Sequence, residues 1–150
     1  MWQIAFSTAN FLAMIAWAAL ILLPRWPALL SALLYLGVGL LCLAYAAGLI
    51  GIVSGLLDAG GGNGVSLDFG SIEGVRAIFL SDGGVTVGWI HYLAFDLFVG
   101  IWIARDADAK SFSRLVQAPI LFATFMAGPL GLLVWLVVRE RRARASGRWQ

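Results

Sequence analysis

The sequence predicts an all-α integral membrane protein, a bundle of four transmembrane helices with a short interfacial helix before the third. Three observations carry this. The chain is 61% hydrophobic and only 12% charged, with a mean hydropathy of +0.92, whereas soluble domains carry about 25% charged residues. A chain of 150 residues leaves too much surface exposed to hide that apolar content in water. Finally, four apolar stretches each reach roughly the 20 residues that a helix needs to cross a bilayer. No second block of soluble composition interrupts them, so residues 1–150 read as one domain.

The first span runs from about 4 to 23 and is closed by Pro24-Arg25-Trp26-Pro27. The prolines stop the helix, while Arg25 and Trp26 suit the headgroup level. The segment lacks a basic n-region and contains Ser7, Thr8 and Asn10, which argues against a secretory signal peptide. The second span, about 28–57, is uncharged. Ala44, Ala47, Gly48, Gly51 and Gly55 give it small-xxx-small spacings that let helix backbones approach closely. That seam fits intramolecular packing or a homodimer.

Residues 58–70 read as a loop, because their glycines, Asp and Asn favour turns over helix. The glycine run lacks the Gly-Lys-Ser/Thr and preceding strand of a phosphate loop. Next, Ser71 is placed to cap a short interfacial helix whose Val75, Ile78 and Phe79 share one face. Ser81-Asp82-Gly83-Gly84 is expected to end it. The third span covers about 85–104 and the fourth about 115–138, with Gly128-Pro129 predicting a kink that frees backbone groups for a neighbour to satisfy. No internal repeat is evident.

Charge is local. Arg139, Arg141, Arg142, Arg144 and Arg148 crowd a basic tail, 139–150, which reads as a topology determinant and lipid-headgroup anchor. Nothing else in the chain suggests nucleic acid as a partner. With four spans both termini share a side with the 58–82 loop. The arginine tail favours that side as cytoplasmic, although Arg105, Lys110 and Arg114 lie on the other. Cys42 is the sole cysteine, so an intramolecular disulfide and thiolate-rich metal sites are excluded. It is expected to pack as a small buried hydrophobe.

The third span carries the chemistry. His91, the only histidine, and Asp96 both lie inside it, and ionisable groups in a span are costly enough to mark a functional site. Helical geometry puts Trp89, Tyr92, Asp96 and Ile103 on one stripe and His91, Phe95, Phe98 and Trp102 on another. His91 and Asp96 therefore point about 140° apart, so they form no local dyad and meet either different helices or opposite flanks of one cavity. Asp96 is a candidate proton donor, and His91 a candidate base, relay or polar anchor. Candidate polar neighbours are Thr8 and Asn10 on the first span, Gln117 and Thr124 on the fourth, and Glu73 on the interfacial helix. Trp89, Tyr92, Phe95 and Trp102 suit the walls of a groove for a flat apolar ligand, although bundle packing explains such aromatics equally well. Trp2, Trp26 and Trp149 read as interface anchors.

One histidine excludes bis-histidine haem ligation, and no carboxylate stands three or four residues from it. Only a mixed set of His91, Asp96 and Glu73 remains conceivable for a metal, so no metal or cofactor is assigned.

Gly-Trp-Ile-His-Tyr-Leu-Ala-Phe-Asp-Leu-Phe-Val-Gly at 88–100 resembles the signature of the abscisic-acid-deficient-4-like membrane proteins. Ser-Ile-Glu-Gly-Val-Arg-Ala-Ile-Phe at 71–79 and Ala-Gly-Pro-Leu-Gly-Leu-Leu at 127–133 resemble further family blocks in the same order. The likeness extends from about residue 5 to 138. It implies a small four-helix membrane protein. Plant members are needed to form neoxanthin from violaxanthin, an isomerisation that opens an epoxide and yields an allene. Such chemistry calls for an acid at the epoxide oxygen and a base at a carbon, and Asp96 and His91 stand at motif positions suited to those roles. No plastid transit peptide precedes the first span here, so a bacterial inner-membrane protein is expected, for which violaxanthin itself is a doubtful substrate.

The leading expectation is therefore a multi-pass protein of the cell inner membrane that acts on a carotenoid or related polyisoprenoid by acid/base isomerisation. Its partners would be the lipid bilayer and an apolar polyene or lipid ligand. The alternatives are a non-catalytic carotenoid- or lipid-binding subunit and a small proton or solute pathway.

Overall fold

The structure is a computed structural model that describes residues 1–61 and 68–146. The central part of the expected 58–70 loop lies outside the described residues, as do Arg148 and Trp149. Every regular element among the described residues is helical. In chain order these are α1 (Trp2–Leu22), α2 (Pro27–Val53), α3 (Ile72–Ile78), α4 (Asp82–Ala109), α5 (Arg114–Met126) and α6 (Gly128–Ser146). Within α2, Leu33–Gly39 is π-helical. Among the described residues α1, α2 and α4 are long and apolar enough to cross a membrane.

Local chemistry sets the boundaries. Leu23 is extended ahead of Pro24, ending α1, and Pro27 opens α2 at a position where its missing N–H costs nothing. Ser71 caps α3 by accepting from the Gly74 N–H at 3.0 Å. Ser81 does the same for α4, accepting from Gly84 at 3.0 Å. Gly83 and Gly84 are thus inside the first turn of α4 rather than in a breaking loop, because Ser81 satisfies the free N–H.

The long helix α4 is the axis of the molecule and packs against α1, α2, α5 and α6. Ile90, Ala94, Leu97, Ile101, Ile103 and Ala104 are buried along it. Trp17 of α1 lies flat against Gly100, where any Cβ would collide with its ring. Outward-facing Phe11, Ile15, Tyr35, Leu36, Leu43 and Ile50 are more than half exposed, a continuous apolar exterior suited to lipid. Cys42, expected inside, is also exposed on this outer face of α2. The small-residue seam packs within the molecule: Gly48 meets Val87 of α4, and Gly51 receives Leu57 as the chain turns back.

The expected fourth span is not one helix. Ala127 adopts φ −157°, ψ 83°, and the chain reverses there into α6. The two helices form an antiparallel hairpin, with Thr124 against Gly131 at the tip and Phe112 against Trp135 (ring centroids 5.0 Å) further back. Proline 129 lacks an N–H and Gly128 has no side chain, so the break is a full reversal where a kink was predicted. Pro119, by contrast, is accommodated within α5.

The reversal corrects the placement of the termini. Trp2 donates to the Asp58 carbonyl at 2.8 Å, which fixes the start of α1 beside the 58 turn. Trp135 and Arg139 of α6 instead bond Asp106 near the far end of α4, at 3.0 and 2.6 Å. The start of α1 and the end of α6 therefore lie at opposite poles. The arginines expected as a free tail fold back in part: Arg139 pairs with Asp106, and Arg142 donates to the carbonyls of Lys110 and Ser111 at 3.0 and 2.7 Å.

Candidate functional site

An open cavity of about 590 Å³ is lined by residues of α2, α3, α4 and α6. His91 and Asp96 both line it. They leave α4 in different directions, and the cavity wraps around the helix to reach both. On the α2 flank the Tyr45 ring lies 5.4 Å from His91. On the α6 flank, Pro129 and Leu132 close the wall beside Asp96. The two groups thus meet different helices and also flank the same cavity.

The His91 imidazole sits in an aromatic nest, 4.6 Å from Phe95 and 6.3 Å from Tyr92 by ring centroids. It makes no hydrogen bond with a described residue, so both ring nitrogens are available to a ligand or water. Asp96 is different. It stands midway along α4, and its carboxyl lies against Gly128, at the point where α6 begins. A Cβ on Gly128 would collide with the Asp96 carboxylate. Asp96 thus fills the space beside the helix break that the missing side chain of Gly128 leaves open.

Helix α3 covers the cavity. Val75, Ile78 and Phe79, the face read from the sequence, all line it. Glycines on α4 make the close approach feasible: the Phe79 ring lies over Gly88, and the Ile78 carbonyl lies against Gly84. At its start, Asp68 accepts from the Ser71 hydroxyl at 2.6 Å and the Gly70 N–H at 2.8 Å, which hold its carboxyl below the usual aspartate range.

Of the remaining expected site residues, Tyr92 and Phe95 line this cavity, and the others lie elsewhere. Trp89 turns toward α1, where it donates to Asn10 Oδ1 at 3.1 Å and stacks with Phe6. Asn10 also donates to the Phe6 carbonyl at 2.8 Å. The two polar groups satisfy each other on the α1 face. Thr124 bonds the Ile120 carbonyl within α5. Glu73 is exposed on the outer side of α3.

Gln117 and Trp102 belong to the far pole. Gln117 is fully buried. It contacts the Arg25 guanidinium and donates to Asp108 at 2.9 Å and to the Phe112 carbonyl at 2.8 Å. Trp102 lies under the Arg139 guanidinium, 5.5 Å from its centroid. Tyr45, Phe69 and Phe79 line the cavity and were not anticipated as its walls. Tyr45 is one of two tyrosines, with Tyr35, in the Leu/Ala-rich α2, and nothing in the sequence distinguished the one that faces the cavity.

Long apolar helices around an aromatic cavity that holds one imidazole and one carboxyl define a small helical protein of membrane type. The chain belongs to the ABA DEFICIENT 4-like family, whose profile matches residues 4–135 and so includes α1 to α5 and the first part of α6. No curated protein and no solved structure matches the chain.

Proposed function

We propose that the chain acts on a carotenoid or related polyisoprenoid drawn sideways from lipid, by acid/base isomerisation in the cavity around α4. The observation that carries this reading is the lining of one aromatic cavity by both His91 and Asp96. Asp96 delivers a proton to a substrate oxygen, and His91 takes one from a nearby carbon or anchors a polar group. One proton in and one out leaves composition unchanged, as isomerisation requires. The cavity falls within the ~300–1,000 Å³ range of small-ligand pockets and suits the ring end of a long polyene whose chain stays in lipid. Family membership supports the polyene class.

A second reading has its own observation. The packing of the Asp96 carboxyl against Gly128 gives it a structural task, which is sufficient for a binding or accessory protein that holds the same ligand without turnover. In either case we place the chain in a cell inner membrane with three full spans and a half-depth hairpin.

Purification with native lipids, followed by pigment absorption and mass spectrometry, separates the readings. A co-purifying polyene whose chemical form changes in both Asp96→Asn and His91→Ala supports catalysis. Ligand retention with no conversion by the native protein supports the binder. Conversion that survives both substitutions sinks the acid/base assignment.

A further inference from the structure

A second cavity, of about 610 Å³, lies at the opposite pole, between the α1–α2 turn, α2, α4 and α6. Its lining is graded along the helix axes. Leu34, Phe98 and Ile101 form the deeper part, and Arg25, Arg105 and Arg139 stand toward the end of the bundle. Asp106 is the carboxylate among these lining residues.

The pairing is uneven. Arg139 is met by Asp106 at 2.6 Å, and Arg25 by Asp108 at 3.1 Å. Arg105 is exposed and forms no ion pair with a described residue. Ser31 and Trp102 add polar and amphipathic groups to the same wall. Guanidinium groups suit phosphate oxygens in particular, because their planar donors bind two at once. A basic pocket between membrane helices, apolar on its deep side, matches an anionic lipid better than a free ion.

We propose that this cavity holds the phosphate headgroup of an anionic phospholipid, with Arg105 as its principal contact and an acyl chain along Leu34 and Phe98. The site is separate from the His91–Asp96 cavity and does not depend on what that cavity does.

The test uses the full-length protein in detergent micelles with equimolar phosphatidylglycerol and phosphatidylcholine, with bound lipid read by native mass spectrometry. Phosphatidylglycerol should be retained preferentially. Arg105→Gln should lower its retention about fivefold, the worth of one basic residue at an anionic surface. Arg144→Gln, which removes a charge from the exposed Glu140 pair on α6, should leave retention unchanged, and excess inorganic phosphate should not displace the lipid. Equal retention of the two lipids, equal loss in the two variants, or displacement by inorganic phosphate overturns the proposal.

Discussion

Trp17 sets how closely α1 approaches α4, because its ring occupies the space that a side chain at Gly100 would need. Gly100→Ala should therefore overpack the core and cost about 1–3 kcal/mol, read as a lower thermal midpoint in detergent. An unchanged midpoint would show that the two helices can part without loss. Asp106 makes a second residue-scale case, gathering Lys110 (2.9 Å), Arg139 and Trp135. Asp106→Asn should weaken the hold on two mostly buried cations and destabilise the protein by about 1–3 kcal/mol, whereas Glu140→Gln at the exposed pair should cost under ~1 kcal/mol. Asp68 offers a test by pH. Its carboxyl is held low by Ser71 and Gly70, so its contribution is present above the ordinary aspartate pKa and is lost as pH falls through the depressed one. The Gly70 amide resonance should therefore titrate below the usual aspartate range, and titration within that range would contradict the bonded geometry.

The α5–α6 hairpin turns on a contact between elements. Gly128 leaves, by its missing side chain, the space that the Asp96 carboxyl fills. Gly128→Ala should lower the unfolding midpoint, and adding Asp96→Ala should recover part of the loss. The two effects should then be non-additive by about 0.5–3 kcal/mol; simple additivity would separate the residues. Much of the local architecture was legible in the sequence. The apolar runs located α1, α2 and α4, Ser71 announced the cap of α3, and Val75, Ile78 and Phe79 announced its inward face. The hairpin was not legible, because residues 115–138 have the apolar content of a span, and hydropathy does not distinguish a kink from a reversal. Nor was the shared cavity, since helical periodicity gives the direction of His91 and Asp96 but not the path of the helices around them. Gln117 was misplaced for a related reason: its partner Arg25 is remote in sequence, and only the fold brings them together.

Across the whole molecule the reversal sorts the charges. Among the described residues, Arg76 stands at the pole of Asp58, Asp68, Glu73 and Asp82. Arg25, Arg105, Lys110, Arg114, Arg139, Arg142 and Arg144 gather at the other. The conflict between the arginine tail and the 105–114 connector disappears, since both now lie together. The positive-inside tendency predicts that the arginine pole faces the cytoplasm and the N-terminus faces away. Reporter fusions at the two ends should therefore report opposite sides, and reporters on the same side would restore a fourth full span. The hairpin also bears on biosynthesis. In this orientation α5 and α6 dip into the membrane and return, so the arginines after Val138 need never be carried across the hydrocarbon core. The hairpin can then seat against α4 from the side on which the chain is made. Asp96 is the socket waiting for its tip.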